Sequence, residues 1–201
     1  ATAARLTDDD YEVYVDKNIL KPLEMYQTYF DQSPYHLLPY RSHSYFLEKG
    51  KTTEAPFNFD TGITVSNGGL NSPFQDMQQY LRFLLGNPQE SRYDVILKRS
   101  SFEEMFRKQL DIASSDSSQL AGVQGTDSIG LGFFRHEERG RLYIGHGGNQ
   151  NGFLSHFYLD PQSHSAYLVA FNTDATDSAQ NTSKLDLDIR NYLLQRKLAI
   201  S

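Results

Sequence analysis

The hydrophobic pattern changes its period near Ile129, and this change constrains the fold more than any other feature of the sequence. From there onward, apolar and polar residues alternate in short β-rich runs at 129–135, 141–145, 153–159 and 166–172. Turn residues such as Glu138-Arg139-Gly140 separate these runs. Alternation of this kind is typical of strands with one buried face. The sequence therefore predicts a four-strand antiparallel meander in its last third.

The chain before residue 129 carries helical patterns instead. The segment Thr7-Asp8-Asp9-Asp10 resembles an N-cap followed by an acidic first turn, and it predicts a first helix at about 8–20 that Pro22 ends. The segment Ser72-Pro73-Phe74-Gln75 combines a capping serine with proline at the first helical position. It predicts a second helix with one apolar face that ends at Gly86.

Two further helices are predicted nearer the end of the chain. One begins at Ser101, and the other begins at Ser183. The last helix would cover the sheet with an apolar face formed by Leu185, Ile189, Tyr192, Leu193 and Leu198. Residues 23–66 are aromatic-rich and aperiodic, which predicts a long ordered excursion, whereas the polar run 111–128 predicts a surface loop.

Together these patterns predict the α+β class, with an antiparallel β-sheet flanked by helices. The 201 residues suit one domain with a sizeable core. We expect a single domain over 1–201, in which 7–128 form the helical and loop part and 129–201 form the meander with its C-terminal helix.

Composition excludes several classes of protein. The net charge is -6 and the basic residues are scattered, so the electrostatic footprint of a nucleic-acid-binding protein is absent. No stretch has the roughly 20 apolar residues that a membrane-spanning helix needs. The chain contains no Cys, which excludes disulfides and thiolate nucleophiles but fits either side of a membrane. The sequence contains no Gly-x-Ser-x-Gly elbow, no phosphate-binding Gly-x-x-x-x-Gly-Lys, no His-Glu-x-x-His helix and no acidic calcium loop, and no cofactor is expected.

The glycine-rich segment Gly145–Phe153 is the unusual chemical feature. It reads Gly-His-Gly-Gly-Asn-Gln-Asn-Gly-Phe and stands where one predicted strand ends and another begins. Glycines allow a bound group to approach the backbone closely, and N–H groups at a sheet edge can stabilise an oxyanion. The alternative is a structural hairpin in which His146 is incidental.

Other histidines near the strands raise the question of a metal site. They are His136, His156 and His164. No pair of them has the spacing of metal ligands on one helix or turn. A metal site is therefore not expected.

Several short segments recur along the chain in an order that matches one family of hydrolases. They are Pro22-Leu23-Glu24-Met25-Tyr26-Gln27-Thr28, Gly68-Gly69-Leu70-Asn71-Ser72 running into Asp76-Met77, Gly130-Leu131-Gly132-Phe133, His146-Gly147-Gly148, Gly152-Phe153, Asp160-Pro161 and Asn172. In this order they resemble the serine β-lactamase and penicillin-binding-protein-like hydrolases. The resemblance covers roughly residues 7–198 and is strongest for the branch of class C β-lactamases, D-amino-acid-specific peptidases and related esterases.

The resemblance implies acyl transfer, in which the serine of a Ser-x-x-Lys motif attacks a carbonyl and forms an acyl-enzyme. It implies that His146 lines the pocket and polarises or orients the substrate. It also implies that the backbone N–H of Asn149 contributes to the oxyanion hole. Gly147, Gly148, Gln150 and Asn151 are the implied substrate-binding residues on the same segment.

The departures from the family pattern are equally specific. The sequence contains neither Ser-x-x-Lys nor Tyr-x-Asn, so the family's nucleophile and base are missing from these residues. His146 stands where the family often has Lys, and histidine is only partly charged near pH 7. Strong recognition of a substrate carboxylate is therefore not expected, and the substitution favours an ester or peptide substrate.

We therefore expect the C-terminal portion of a β-lactamase/transpeptidase-like fold, without its N-terminal strands and nucleophile helix. An uncovered sheet edge and apolar face would favour a complementary N-terminal segment or self-association. The rival hypothesis is a catalytically inactive relative that binds a ligand or a protein. The family resemblance points to a periplasmic or secreted protein, although no residue pattern in the chain fixes the compartment.

Overall fold

The computed structural model describes residues 2–86, 91–112, 126–138 and 140–175, together with residues 181, 182, 184–186, 188, 189 and 192. The chain forms two compact units. Unit 1 contains Ala1–Ser42 and Phe57–Glu103, and unit 2 contains His43–Pro56 and Glu104–Ser201. Within the described residues, no helix is both long enough and apolar enough to cross a bilayer.

The regular elements are short on average. The α-helices are α1 (Thr2–Thr7), α2 (Tyr11–Val15), α3 (Val65–Gly68), α4 (Phe74–Leu85) and α5 (Arg99–Phe106). The strands are β1 (Tyr29–Phe30), β2 (Tyr45–Glu48), β3 (Lys51–Glu54), β4 (Leu70–Asn71), β5 (Leu110–Asp111), β6 (Thr126–Ile129), β7 (Phe134–Glu138), β8 (Arg141–Gln150), β9 (Phe153–Asp160), β10 (Ser165–Phe171) and β11 (Thr173–Ala175). Four further helical turns lie at Asp16–Leu20, Tyr35–Tyr40, Gly62–Thr64 and Ser91–Val95.

The predicted first helix at 8–20 is wrong in its boundaries. Asp8 has φ 59°, a left-handed conformation that an α-helix cannot continue through, and it separates α1 from α2. Thr7 is the last residue of α1, so it does not cap a following helix. The helical path then continues from α2 into a π-helical turn at Asp16–Leu20.

Helix α4 matches the predicted second helix, but its start differs. Ser72 does not cap it, because Pro73 takes the capping position and no side chain there bonds the first turn. The hydroxyl of Ser72 lies 2.8 Å from Thr28 Oγ1 instead. Helix α4 buries Leu81, Phe83 and Leu84, which anchor it in unit 1. The predicted second helix therefore exists with a different N-terminal contact.

Unit 2 is built on a six-stranded sheet with the strand order β10-β9-β8-β7-β6-β5, in which every neighbouring pair is antiparallel. A second sheet has the order β11-β2-β3. Ile144 and Leu159 face each other across β8 and β9 and are 1% and 0% exposed, so the core of the sheet lies at this pair. The α+β prediction of an antiparallel sheet with helices is confirmed.

The large sheet differs in detail from the predicted four-strand meander. It has two more strands, β5 and β6, on one side. The predicted strand 129–135 is wrong, because Gly130 N–H donates to Phe133 O at 2.8 Å and closes a turn between β6 and β7. The third difference is that β8 continues five residues beyond its predicted end at residue 145 and includes the glycine-rich segment as far as Gln150.

Part of the predicted C-terminal helix can be compared with the structure. The described residues 182, 184–186, 188, 189 and 192 are helical. Ser183, Leu193 and Leu198 lie outside the described residues, as does most of the predicted loop 111–128.

Candidate active site

Residues 146–150 of the glycine-rich segment form the second half of β8, and they form an open edge of the sheet. The register between β7 and β8 ends at the pair Phe134–Gly145. Residues 146–150 continue as a strand and pair with β9 only. In the described part of the chain, no strand pairs with the other edge of this segment.

The turn that follows β8 fixes which backbone groups point to that edge. Asn151 and Gly152 have φ of 46° and 79°, so they form a two-residue turn of the type I′ kind. In such a hairpin the residues flanking the turn, here Gln150 and Phe153, exchange hydrogen bonds. Hydrogen-bonded and non-hydrogen-bonded pairs alternate along the ladder, so Gly148 also bonds towards β9.

By the same alternation, the N–H and C=O groups of Gly147 and Asn149 point away from β9 and towards the open edge. The hairpin between β7 and β8 gives the same phase. Glu138 and Arg141 flank a two-residue loop there, which makes Gly145 the last residue of β8 that bonds to β7. The next two residues with this orientation, Gly147 and Asn149, extend beyond β7.

His146 stands beside this edge with an exposed side chain. Its Nδ1 atom lies 2.7 Å from Gly147 O, and its ring centroid lies 5.3 Å from that of Phe134. A carbonyl oxygen only accepts, so Nδ1 carries the proton in this contact. The Nε2 atom points away from this hydrogen bond, and the ring packs beside Phe134.

The side chains of Asn149 and Asn151 both have protein partners. Asn149 Nδ2 donates to Asp174 Oδ2 at 3.1 Å. Asn151 Nδ2 donates to Pro56 O at 2.9 Å. Ser44 Oγ also donates to Asn151 O at 2.7 Å. The β8–β9 turn is thus attached to the segment that contains β2 and β3. The side chain of Gln150 is exposed at the end of the open edge.

The two glycines next to His146 differ in their surroundings. A Cβ atom on Gly147 would lie 2.2 Å from His156 Cδ2 and 2.3 Å from His156 Nε2. A Cβ atom on Gly148 would meet only Ser155 Oγ, at 3.7 Å. Glycine is therefore sterically required at residue 147, whereas residue 148 has room for a side chain.

The remaining histidines of the sheet make carboxylate pairs. His136 Nδ1 lies 2.5 Å from Asp127 Oδ1, and His156 Nδ1 lies 2.6 Å from Asp186 Oδ2. Across the described ranges, no three His, Asp or Glu side chains converge as metal ligands would. Sequence patterns assigned neither Asp174 nor Asp186 to the site, because each is remote in sequence from its partner; Asp186 belongs only to the predicted cap of the last helix.

The sequence matches the family model described as Beta-lactamase over residues 1–190. The chain therefore belongs to the beta-lactamase family, and the resemblance inferred from its motifs is confirmed. No curated protein shows significant sequence similarity to it.

Solved structures share the fold at low sequence identity. The octameric penicillin-binding protein homologue from Pyrococcus abyssi is 23% identical with a TM-score of 0.72, covering 96% of this chain and 39% of that one. The D-amino acid amidase from Ochrobactrum anthropi SV3, complexed with L-phenylalanine amide, is 18% identical with a TM-score of 0.73, covering 100% and 55%. The beta-lactamase/D-alanine carboxypeptidase from Pseudomonas syringae is 13% identical with a TM-score of 0.63, covering 94% and 54%.

The chain thus spans about half or less of the length of these solved structures, with shares between 39% and 55%. The family match and the similar solved structures together show that the chain has a serine-hydrolase-type fold of the β-lactamase-like kind.

Proposed function

We propose that this chain is part of a serine hydrolase that forms an acyl-enzyme on an ester, β-lactam or D-amino-acid peptide substrate. In this proposal the chain supplies the His146-Gly147-Gly148 strand and the backbone of the oxyanion hole. The open edge of β8 carries the proposal. The ladder alternation directs the N–H of Asn149 to an edge with no strand partner among the described residues. Such a donor can bind developing negative charge without a side chain.

His146 orients the substrate or polarises its carbonyl group. The hydrogen bond from Nδ1 to Gly147 O leaves Nε2 as the atom that meets substrate. A neutral imidazole offers a hydrogen bond rather than a full positive charge. This favours esters and amides over substrates that are recognised mainly through a carboxylate.

We take the open edge of β8 and the turn after it as the substrate groove, which also includes Gly147, Gly148, Gln150 and Asn151. Because neither Gly147 nor Gly148 has a side chain, a planar acyl group can lie along the strand. Asn151 supports the groove through its hydrogen bond to Pro56 O, which fixes the turn at its end.

The nucleophile comes from a polypeptide segment outside these 201 residues. No Ser-x-x-Lys motif occurs in the sequence, and the chain covers 39% to 55% of the compared structures. The partner is a complementary N-terminal segment of the same hydrolase. Self-association is the other arrangement, and the homologue from Pyrococcus abyssi is itself described as octameric.

Covalent labelling tests this proposal directly. A native preparation is treated with a fluorophosphonate and, separately, with a penicillin, and intact masses are recorded for this chain and for any polypeptide that co-purifies with it. We expect the label on a companion segment, and penicillin labelling would favour the β-lactam substrates. A label on a serine of this chain, or no label on any polypeptide, would contradict the proposal.

The absence of Ser-x-x-Lys also favours a second candidate, an inactive β-lactamase-like module that binds a ligand or a protein. The two functions differ in one observation. If the polypeptide that carries this chain contains no Ser-x-x-Lys upstream and hydrolyses no p-nitrophenyl ester, the binding module is the better account.

A further inference from the structure

We infer that His156, held by Asp186, is a positioning residue for the backbone of Gly147–Asn149, and this inference rests on the proposed function for its catalytic consequence. His156 and Gly147 are in close steric contact. Gly147 and His156 are direct partners in the register of β8 and β9. The imidazole lies so close to Gly147 that a Cβ atom there would be 2.2 Å from Cδ2. The ring therefore covers one side of the glycine backbone.

A carboxylate holds the orientation of this ring. His156 Nδ1 lies 2.6 Å from Asp186 Oδ2, and the two side chains are only 12% and 7% exposed. Tyr167 also donates its hydroxyl to Asp186 Oδ1 at 3.3 Å. Because Nδ1 lies against the buried carboxylate, rotation of the ring away from Gly147 would also separate the imidazole from Asp186.

Aromatic packing supports the same orientation. The rings of His156 and Tyr158 are stacked with centroids 6.4 Å apart, and Tyr158 stacks in turn on Tyr167 at 6.3 Å. The imidazole is thus fixed on two sides, by Asp186 through Nδ1 and by Tyr158 through its face. Gly147 has no side chain of its own to fix its backbone, so this ring supplies the support that a side chain would give.

The contact of His156 with Gly147 affects the proposed oxyanion donor, the N–H of Asn149, because only two residues of backbone separate them. An oxyanion donor works at about 2.7–3.1 Å from the oxygen it stabilises, so small shifts of the Asn149 N–H matter. Among the described residues, no strand pairs with 146–150 on the β7 side, and β9 is the strand that pairs with them. His156 is the β9 residue that packs against this segment at Gly147. Loss of the imidazole would let the segment move towards the vacated space.

A matched control exists within the same sheet. His136 and Asp127 form a second buried pair, with Nδ1 and Oδ1 2.5 Å apart and side chains 4% and 11% exposed. His136 is the register partner of Tyr143, two residues before the last β7–β8 pair. His136→Ala removes a comparable buried pair without touching Gly147. Both variants lose stability, and only His156→Ala should disturb the open edge.

The first measurement uses this chain alone. Three-bond amide-to-Hα couplings of Gly148 and Asn149 report backbone φ and are insensitive to the ring current of a lost imidazole. We expect them to change in His156→Ala and in Asp186→Asn but not in His136→Ala. Unchanged couplings in His156→Ala would overturn the inference.

A double-mutant comparison tests the steric relationship independently. Gly147→Ala should lower the melting temperature of the wild-type chain because the new methyl group displaces the imidazole. In the His156→Ala background the same substitution should lower it little or not at all, because the space is vacant. Equal losses in both backgrounds would also overturn the inference.

The catalytic consequence is measured on the complete hydrolase with a p-nitrophenyl ester. We expect His156→Ala to lower kcat about tenfold to a hundredfold with little change in KM, whereas His136→Ala leaves both near the wild-type values. Equal kcat values for His156→Ala and wild type would overturn the catalytic part. Failure of the wild-type protein to hydrolyse the ester would count against the proposed function, while the couplings and melting temperatures still decide whether His156 positions the strand.

Discussion

The hydroxyl of Thr28 donates to the carboxylate of Asp76 across 2.8 Å, and the two residues are 48 positions apart in the chain. Asp76 is 6% exposed and lies in the first turn of α4, and it also accepts the backbone N–H of Gln27 at 2.8 Å. The segment before β1 is thereby attached to the start of α4. The motif that ends at Thr28 and the motif that contains Asp76 are separate in sequence, but they contact each other in the structure.

Removing this carboxylate should destabilise unit 1. Asp76→Ala removes the acceptor of the Gln27 N–H and of the Thr28 hydroxyl. A hydrogen bond to a charged group contributes about 1.5–3 kcal/mol to the free energy of unfolding. We expect a loss of about 2–3 kcal/mol in urea unfolding. Asp94→Ala, an exposed residue of the same unit, is the control and should change little. Equal effects of the two substitutions would contradict the prediction.

The two glycines after His146 should respond differently to alanine. Gly147→Ala places a methyl group 2.2 Å from His156 Cδ2 and should cost about 1–3 kcal/mol, as overpacking does. Gly148→Ala meets only Ser155 Oγ at 3.7 Å and should be neutral or slightly stabilising. Urea unfolding of both variants measures the difference. Similar stabilities would show that the imidazole moves aside at no cost.

Sequence patterns predicted some strands better than others, for physical reasons. Alternation placed β9 and β10 within one residue of their observed ends, because apolar side chains recur along both strands. It failed between β6 and β7, where Phe133 and Phe134 are adjacent apolar residues and give no period of two. It also ended β8 at residue 145, because glycines carry no hydrophobic signal and the continuation depends on pairing with β9.

The sequence indicated which segment forms the candidate site, but it did not indicate which side chains contact that segment. The glycines around His146 indicated a close approach to the backbone. Their spacing could not distinguish Gly147, which is covered by His156, from Gly148, which has room beside it. The contact of His156 with Asp186 joins β9 to a C-terminal helical residue, and no local pattern encodes such a pair.

Tyr143 should make stability depend on alkaline pH. Burial raises the pKa of Tyr143 above its ordinary value of 10.0, and the carboxylate of Asp160 adds to the effect. The unfolded chain therefore loses this proton first, so the stabilisation is fully present below about pH 10 and is lost as pH rises through the folded-state pKa. Unfolding free energies from about pH 8 to about pH 11 should fall more steeply for wild type than for Tyr143→Phe. Parallel profiles would contradict this.

The residue at 146 should set the preference for charged substrates. A lysine ammonium is fully charged near neutral pH, so His146→Lys adds a positive charge beside the open edge. We expect turnover of a substrate carrying a carboxylate to rise about two- to fivefold relative to a neutral ester, the effect of an exposed ion pair worth ~0.5–1 kcal/mol. His146→Gln, which adds no charge, is the control. An equal change for both substrates would remove residue 146 from substrate recognition.

Asn149→Pro should remove the proposed oxyanion donor, the backbone N–H of residue 149, while leaving the sheet intact. The ladder alternation makes Asn149 and Leu154 a non-hydrogen-bonded pair, so the hairpin does not use the N–H of Asn149, and an open strand edge tolerates proline. In the complete hydrolase we expect kcat for a p-nitrophenyl ester to fall about 10²–10³-fold. Asn149→Ala keeps the N–H but loses the hydrogen bond to Asp174, and it should retain most of the activity. If the proline and alanine variants have similar melting temperatures and similar kcat values, the oxyanion is stabilised elsewhere and the proposed role of Asn149 is wrong.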